Sequence, residues 1–309
     1  MNVFPITPQR YTPFIRDRAN EVILLARSPH QSLRPFSSER KQTDSCVIGN
    51  GVPKSGTYLI NSILNYLDHW ENIGIHINPA DWHTVTLGSD GNYHSCLPQF
   101  STRKLRNGQL VAAHLPWSKG LEKSISHVTT ARRIKHILIY RDPRDTMVSH
   151  LNYIAYSERY SGSTGHMPEQ RILLEEFNND SDRLTSVINS RMGFFYPGNG
   201  QGNHYLNFAP WLASPHCFAV KFEELYPELC DLKETGFGVV MKDLLTYLEV
   251  DYVRIDPVDF YDRVYGKSLT ASGEVDKIGQ YKRIFKSQHY DSLDNLDFKN
   301  LLHTFGYEW

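Results

Sequence analysis

A chain of 309 residues can bury a full hydrophobic core, as one large α/β domain or two small ones. Its 33 lysines and arginines balance 34 aspartates and glutamates, for a net charge of −1, so no global field draws nucleic acid or anionic membrane. Four scattered cysteines with no C-x-x-C, and 14 histidines with none at a metal spacing, argue against a disulfide scaffold, a zinc knuckle or a resident metal.

Residues 1–43 are rich in proline and charge, with a short helix expected over 14–26, and read as an N-terminal extension leading into a domain over 44–309. They lack a basic segment followed by an apolar one, and no apolar run reaches the length of a membrane span, so a soluble, cytoplasmic protein is expected. Four short apolar runs, at 46–48, 110–113, 136–140 and 217–220, read as buried parallel strands. Helical patterns lie between and after them, at 58–70, 144–156 and 170–192. The Ser-, Gly- and Asn-rich stretch over about 158–202 reads as a flap. A helix follows at 242–248, then irregular chain to 272, and an amphipathic helix over 293–305 stopped by Gly306. The alternation predicts a single α/β domain with a central parallel sheet flanked by helices, in which ligands bind beyond the carboxyl ends of the strands.

The polar punctuation falls at those ends. Pro53-Lys54-Ser55-Gly56-Thr57 joins the first strand to a helix, where unpaired N–H groups and the helix dipole favour an anion. It is not a Walker A loop, because the lysine precedes the glycine. Its alternative is an ordinary polar turn with a helix N-cap. Ala113-His114-Leu115-Pro116 ends the second strand. Arg141-Asp142-Pro143 ends the third, with Asp142 suited to cap a helix and Pro143 to begin it. Arg141 offers a planar fork to a phosphate, or pairs with a nearby carboxylate. Ser149 lies two turns along the helix. His114 can accept a proton at neutral pH, or can be a core histidine bonded to a backbone carbonyl.

In this order the motifs resemble those of the cytosolic, small-molecule sulfotransferases that use 3′-phosphoadenosine-5′-phosphosulfate (PAPS). The resemblance spans about residues 44–285. P-K-S-G-T is that family's 5′-phosphosulfate loop. Arg followed eight residues later by Ser is its 3′-phosphate segment, and H-L-P carries its catalytic histidine. Looser matches are Asn203-His204-Tyr205 with Trp211, Phe222-Glu223-Glu224-Leu225, and the segment from Lys277 to Lys282.

The resemblance implies a P-loop-kinase-like fold and PAPS as co-substrate without a metal. It assigns His114 as general base, Lys54 to the leaving phosphate, and Ser149 to hold Lys54 or the 3′-phosphate. Cofactor contacts would come from Lys54, Ser55, Gly56, Thr57, Tyr58, Leu59, Arg141, Ser149, Phe222 and Lys277. A small-molecule acceptor would meet His204, Tyr205, Phe208 and Trp211, although these aromatic residues suit the core as well. The chain departs from the family where Leu59 replaces an adenine-stacking tryptophan, where Ala112 replaces a lysine, and where Glu274-Val275-Asp276 replaces an R-K-G triplet. A P-loop nucleotide kinase and a non-catalytic nucleotide-binding scaffold stay open on these grounds, as does the choice between monomer and homodimer.

Overall fold

The computed structural model describes residues 43–77, 85–87, 93–95, 105–117, 119–126, 133–156, 167–189, 205–265, 277–294 and 298–309. The expected N-terminal extension, including its helix at 14–26, lies outside the described residues.

Four strands form where the apolar runs stand: β1 (Ser45–Gly51), β5 (Gln109–Ala113), β6 (Arg133–Tyr140) and β7 (Cys217–Lys221). Successive side chains of a strand point to opposite faces. Cys46 and Ile48 accordingly enter one core, together with Val111 and Leu138, while Val47, Leu110, Ile137 and Ile139 enter a second. A fifth strand, β2 (Glu71–Ile77), completes a parallel sheet in the order β2-β5-β1-β6-β7. Its sequence, E-N-I-G-I-H-I, carries no apolar run, so the pattern used for the others passes over it. A two-stranded antiparallel ribbon, β3 (Val85–Leu87) with β4 (Tyr93–Ser95), was likewise not expected.

Helices cover both faces. On the second core's side lie α1 (Thr57–Tyr66), α6 (Phe222–Cys230), α7 (Val239–Tyr247) and α8 (Pro257–Val264). Those contributing to the first core are α2 (Lys119–Ser126), α3 (Pro143–Tyr156), α4 (Met167–Glu176), α5 (Asp180–Asn189), α9 (Ser287–Asp294) and α10 (Phe298–Thr304). This is the expected α/β architecture, with several corrections inside it. The first helix ends before residue 70, because Asp68 turns into the left-handed region (φ 53°). The helix expected over 170–192 is two, since the Asn179 carboxamide accepts the Asp182 N–H at 3.0 Å and starts α5 afresh. Leu173, Leu184, Val187 and Ile188 of this pair are buried in the core, so the described middle of the expected flap is packed structure. The chain after 248 contains α8, capped by Asp256 accepting from Val258 N–H at 2.9 Å, with Pro257 at the first helical position. The final helix is two, α9 and α10, and Gly306 (φ 72°) stops the second.

Candidate active site

The sheet order sets β5, β1 and β6 side by side, so the three polar strand ends become neighbours at the carboxyl end of the sheet. From β1 the chain enters the loop at residues 53–57. Val52 N–H donates to the Ile139 carbonyl and Ser55 N–H to the Val52 carbonyl, both at 3.0 Å, which curls the loop against β6. Lys54 (φ 64°) and Gly56 (φ 100°) both adopt left-handed backbone. At Gly56 a side chain has no room, because a Cβ there would lie 2.8 Å from the Phe222 ring and 3.1 Å from Ile139. The ladder of α1 begins with Leu59 and Ile60 donating to the Gly56 carbonyl, leaving the N–H groups of the first turn before it. Thr57 Oγ1 is buried with no hydrogen-bond partner among the described residues.

Three cations converge on this loop. The Lys54 ammonium stands 3.4 Å from the centroid of the Tyr153 ring. Desolvation, followed by the charges of Arg141 and Lys277, lowers its pKa to about 7. Arg141, at the end of β6, is 5 % exposed. It donates to the Lys277 carbonyl, lies 4.8 Å over the Phe222 ring and stands 3.7 Å from Asp145, while its Nε is buried with no hydrogen-bond partner among the described residues. Asp145 accepts the N–H groups of Gly279 (2.6 Å) and Tyr281 (3.0 Å), and so ties the segment bearing Lys277 to the start of α3. Burial pushes the Asp145 carboxyl up, against the pull of Arg141. Asp142 caps α3 as expected, accepting Arg144 N–H at 2.9 Å, and its carboxylate also takes the Arg144 guanidinium in a fork. Ser149 is partly exposed on α3, one turn before Tyr153 and on the same helix face.

His114 follows β5. Its N–H donates to the Ile77 carbonyl at 2.8 Å, and its Nδ1 lies 2.7 Å from the Gly51 carbonyl. A carbonyl only accepts, so Nδ1 carries the proton and Nε2 carries the lone pair. The histidine is half-buried, with its ring Nδ1 satisfied by a backbone carbonyl.

These arrangements are joined by a sequence match: the sulfotransferase domain family covers residues 44–225, more than half of the chain. The chain belongs to this family. Its overall structure is similar to that of mouse sulfotransferase SULT7A1 complexed with PAP, at 13 % identity over 85 % of each chain and a TM-score of 0.48. It is also similar to retinol dehydratase in complex with retinol and PAP, at 14 % identity over 84 % of this chain and 82 % of that one, with a TM-score of 0.40. No curated protein sequence matches it.

Within this sulfotransferase domain the other expected site residues differ in exposure. Leu59 is fully buried, because α1 turns it with Ile60 and Ile63 into the second core; the neighbouring Tyr58 is 50 % exposed beside the loop. Phe222 is a floor beneath Gly56, stacked on Tyr226 with ring centroids 4.9 Å apart. Ser55 is buried, its hydroxyl 3.4 Å from that of Tyr205. Tyr205, Phe208 and Trp211 are core residues with no exposed surface, which removes them from the wall of an acceptor pocket in this structure. The Tyr205 hydroxyl bonds Thr146 Oγ1 at 2.9 Å, and Trp211 donates to the Leu115 carbonyl at 3.1 Å. His204 and residues 274–276 lie outside the described residues.

Sequence reading missed Tyr153, Asp145 as an organiser of the Lys277 segment, and Asn50. The signals were present. Tyr153 is four residues from Ser149, and Asn50 is a polar side chain at the end of an otherwise apolar strand.

Proposed function

We propose that the protein transfers the sulfuryl group of PAPS to a hydroxyl, or an amine, of a small-molecule acceptor. The observation that carries this reading is the convergence of Lys54, Arg141 and Lys277 around a loop whose first-turn N–H groups face the same way. Cations crowded together repel, and an anion with several charges relieves that repulsion. The donor supplies an activated sulfuryl group already bonded to a good leaving group, so the chain has to align, neutralise charge and take up one proton.

Each residue has a part in that. Lys54 neutralises the oxygen left on the 5′-phosphate as the bond to sulfur breaks. Thr57 and the N–H groups at the start of α1 hold the sulfate and 5′-phosphate oxygens. Arg141, with Ser149 and Lys277, grips the 3′-phosphate, and Tyr58 offers a face to the adenine. His114 Nε2 accepts the proton of the acceptor as its oxygen or nitrogen bonds to sulfur. The domain over 44–309 carries all of these groups.

Substitution His114→Ala tests the base. Turnover is expected to fall by about 10²-fold or more, the usual contribution of general base catalysis, with affinity for adenosine 3′,5′-bisphosphate (PAP) retained. Near-normal turnover removes His114 from the mechanism.

A further inference from the structure

The general base is held from outside the loop by a residue with no chemistry of its own. After Ala113, which pairs with Asn50, the β5–β1 ladder ends. The Asn50 side chain then takes over its role. Its Oδ1 accepts Leu115 N–H at 2.7 Å, and its Nδ2 donates to the Leu115 carbonyl at 2.9 Å. A carboxamide paired with both backbone groups of one residue imitates a strand neighbour. This pairing also fixes which end of the amide is oxygen. The second Nδ2 proton is directed at His136 Nε2, 3.0 Å away. Burial pushes His136 down to about 3, so the ring is neutral, and because an amide nitrogen only donates, Nε2 is the acceptor.

Asn50, Leu115 and His136 are all fully buried, so each of these bonds is expensive to lose. The Leu115 carbonyl takes a second bond from Trp211 Nε1. His114 is therefore held at three points: its own N–H by β2, its ring Nδ1 by Gly51, and the residue after it by Asn50.

We propose that Asn50 is the positioning residue of this sulfotransferase. It locks Leu115 to the end of β1 so that His114, one residue away, keeps its Nδ1 on the Gly51 carbonyl and its Nε2 toward the acceptor. The proposal rests on the reading of His114 as the base. Among the described residues the Asn50 side chain bonds Leu115 and His136, so its effect on His114 passes through the backbone of residues 114–115. A misplacement of about 1 Å at a reacting group costs up to roughly 10²-fold in rate.

The test is a double-mutant cycle on turnover, with PAP affinity measured alongside. Asn50→Ala removes both bonds to Leu115. Asn50→Asp keeps the size and the acceptor for Leu115 N–H, but loses both donors and sets a carboxylate against the Leu115 carbonyl and His136. Each is expected to lower kcat by roughly ten- to a hundredfold while the Kd for PAP and the KM for PAPS stay within about twofold. In a His114→Ala background the same substitutions are expected to lower kcat no further, because the group they position is gone. Independent, additive losses in that background overturn the proposal. A parallel loss of PAP affinity and kcat, or failure of both variants to fold with PAP present, makes Asn50 a general structural residue and overturns it too. Near-normal turnover in His114→Ala alone overturns the base assignment and this proposal together, which separates that failure from the others.

Discussion

Lys54 makes donor binding depend on pH in a direction that the geometry dictates. In the free protein its pKa is about 7, against about 10.4 for an unperturbed lysine, because the ammonium is desolvated and faces Arg141 and Lys277. A bound polyanion favours the charged form and restores its pKa toward the ordinary value. Binding above pH 7 therefore takes up a proton, and affinity falls as pH rises. At pH 7 about half of the free protein carries the Lys54 charge, and at pH 9 about one molecule in a hundred. The affinity for PAP is expected to drop about fiftyfold across that interval, or about 2.3 kcal/mol. The window largely isolates the protein, since phosphate monoesters, with a second pKa near 6, are nearly fully ionised above pH 7.

Isothermal titration calorimetry measures both parts. The Kd should rise with pH, and near pH 8.5 the binding heat in buffers of different ionisation enthalpy should report uptake of close to one proton. In Lys54→Met the Kd should be weaker at pH 7 and level from 7 to 9. A level profile in the unaltered protein, or an undiminished slope in Lys54→Met, refutes the argument. The same shift acts on stability. The unfolded chain holds this proton up to about pH 10.4 and the free folded protein loses it near 7, so the stability of the ligand-free protein gains from Lys54 as pH rises between those values.

Gly56→Ala places a side chain at φ 100° and against the Phe222 ring. The backbone costs about 1–2 kcal/mol and the overlap about 1–3 kcal/mol more, so urea unfolding should show a large destabilisation, and PAP should bind weakly to what folds. Unchanged stability contradicts the packing described here. Tyr205→Phe removes the hydroxyl that bonds Thr146 and should cost about 1 kcal/mol in thermal unfolding, with acceptor KM unaltered; a selective rise in acceptor KM would return Tyr205 to the pocket wall.

Local chemistry made much of this legible. Four apolar runs bounded by polar turns could be read as strands, because a strand buried on both faces needs no partner to declare itself. Asp142-Pro143 announced the start of α3, and P-K-S-G-T announced an anion loop, since caps and tight turns depend on residues a few positions apart. Where the signal depended on distant partners, it failed. The polar strand β2 is a strand only because β5 lies beside it. Leu59 reads as a neighbour of the cofactor until α1 is rotated onto the sheet. Tyr205 and Trp211 read as pocket walls, yet their hydroxyl and indole N–H are the polar handles that let such rings be fully buried.

The sequence by itself therefore determined the inventory: a strand-loop-helix anion site with a lysine in it, an arginine at one strand end and a histidine at another. Tertiary structure decided their relations. Parallel pairing in the order β5-β1-β6 brings three separated segments together at the carboxyl end of the sheet. Only there do Lys54, Arg141 and Lys277 feel one another, and only there does the Gly51 carbonyl choose the tautomer of His114. Charge repulsion and hydrogen-bond geometry act through space over a few ångströms, and sequence order does not contain those distances.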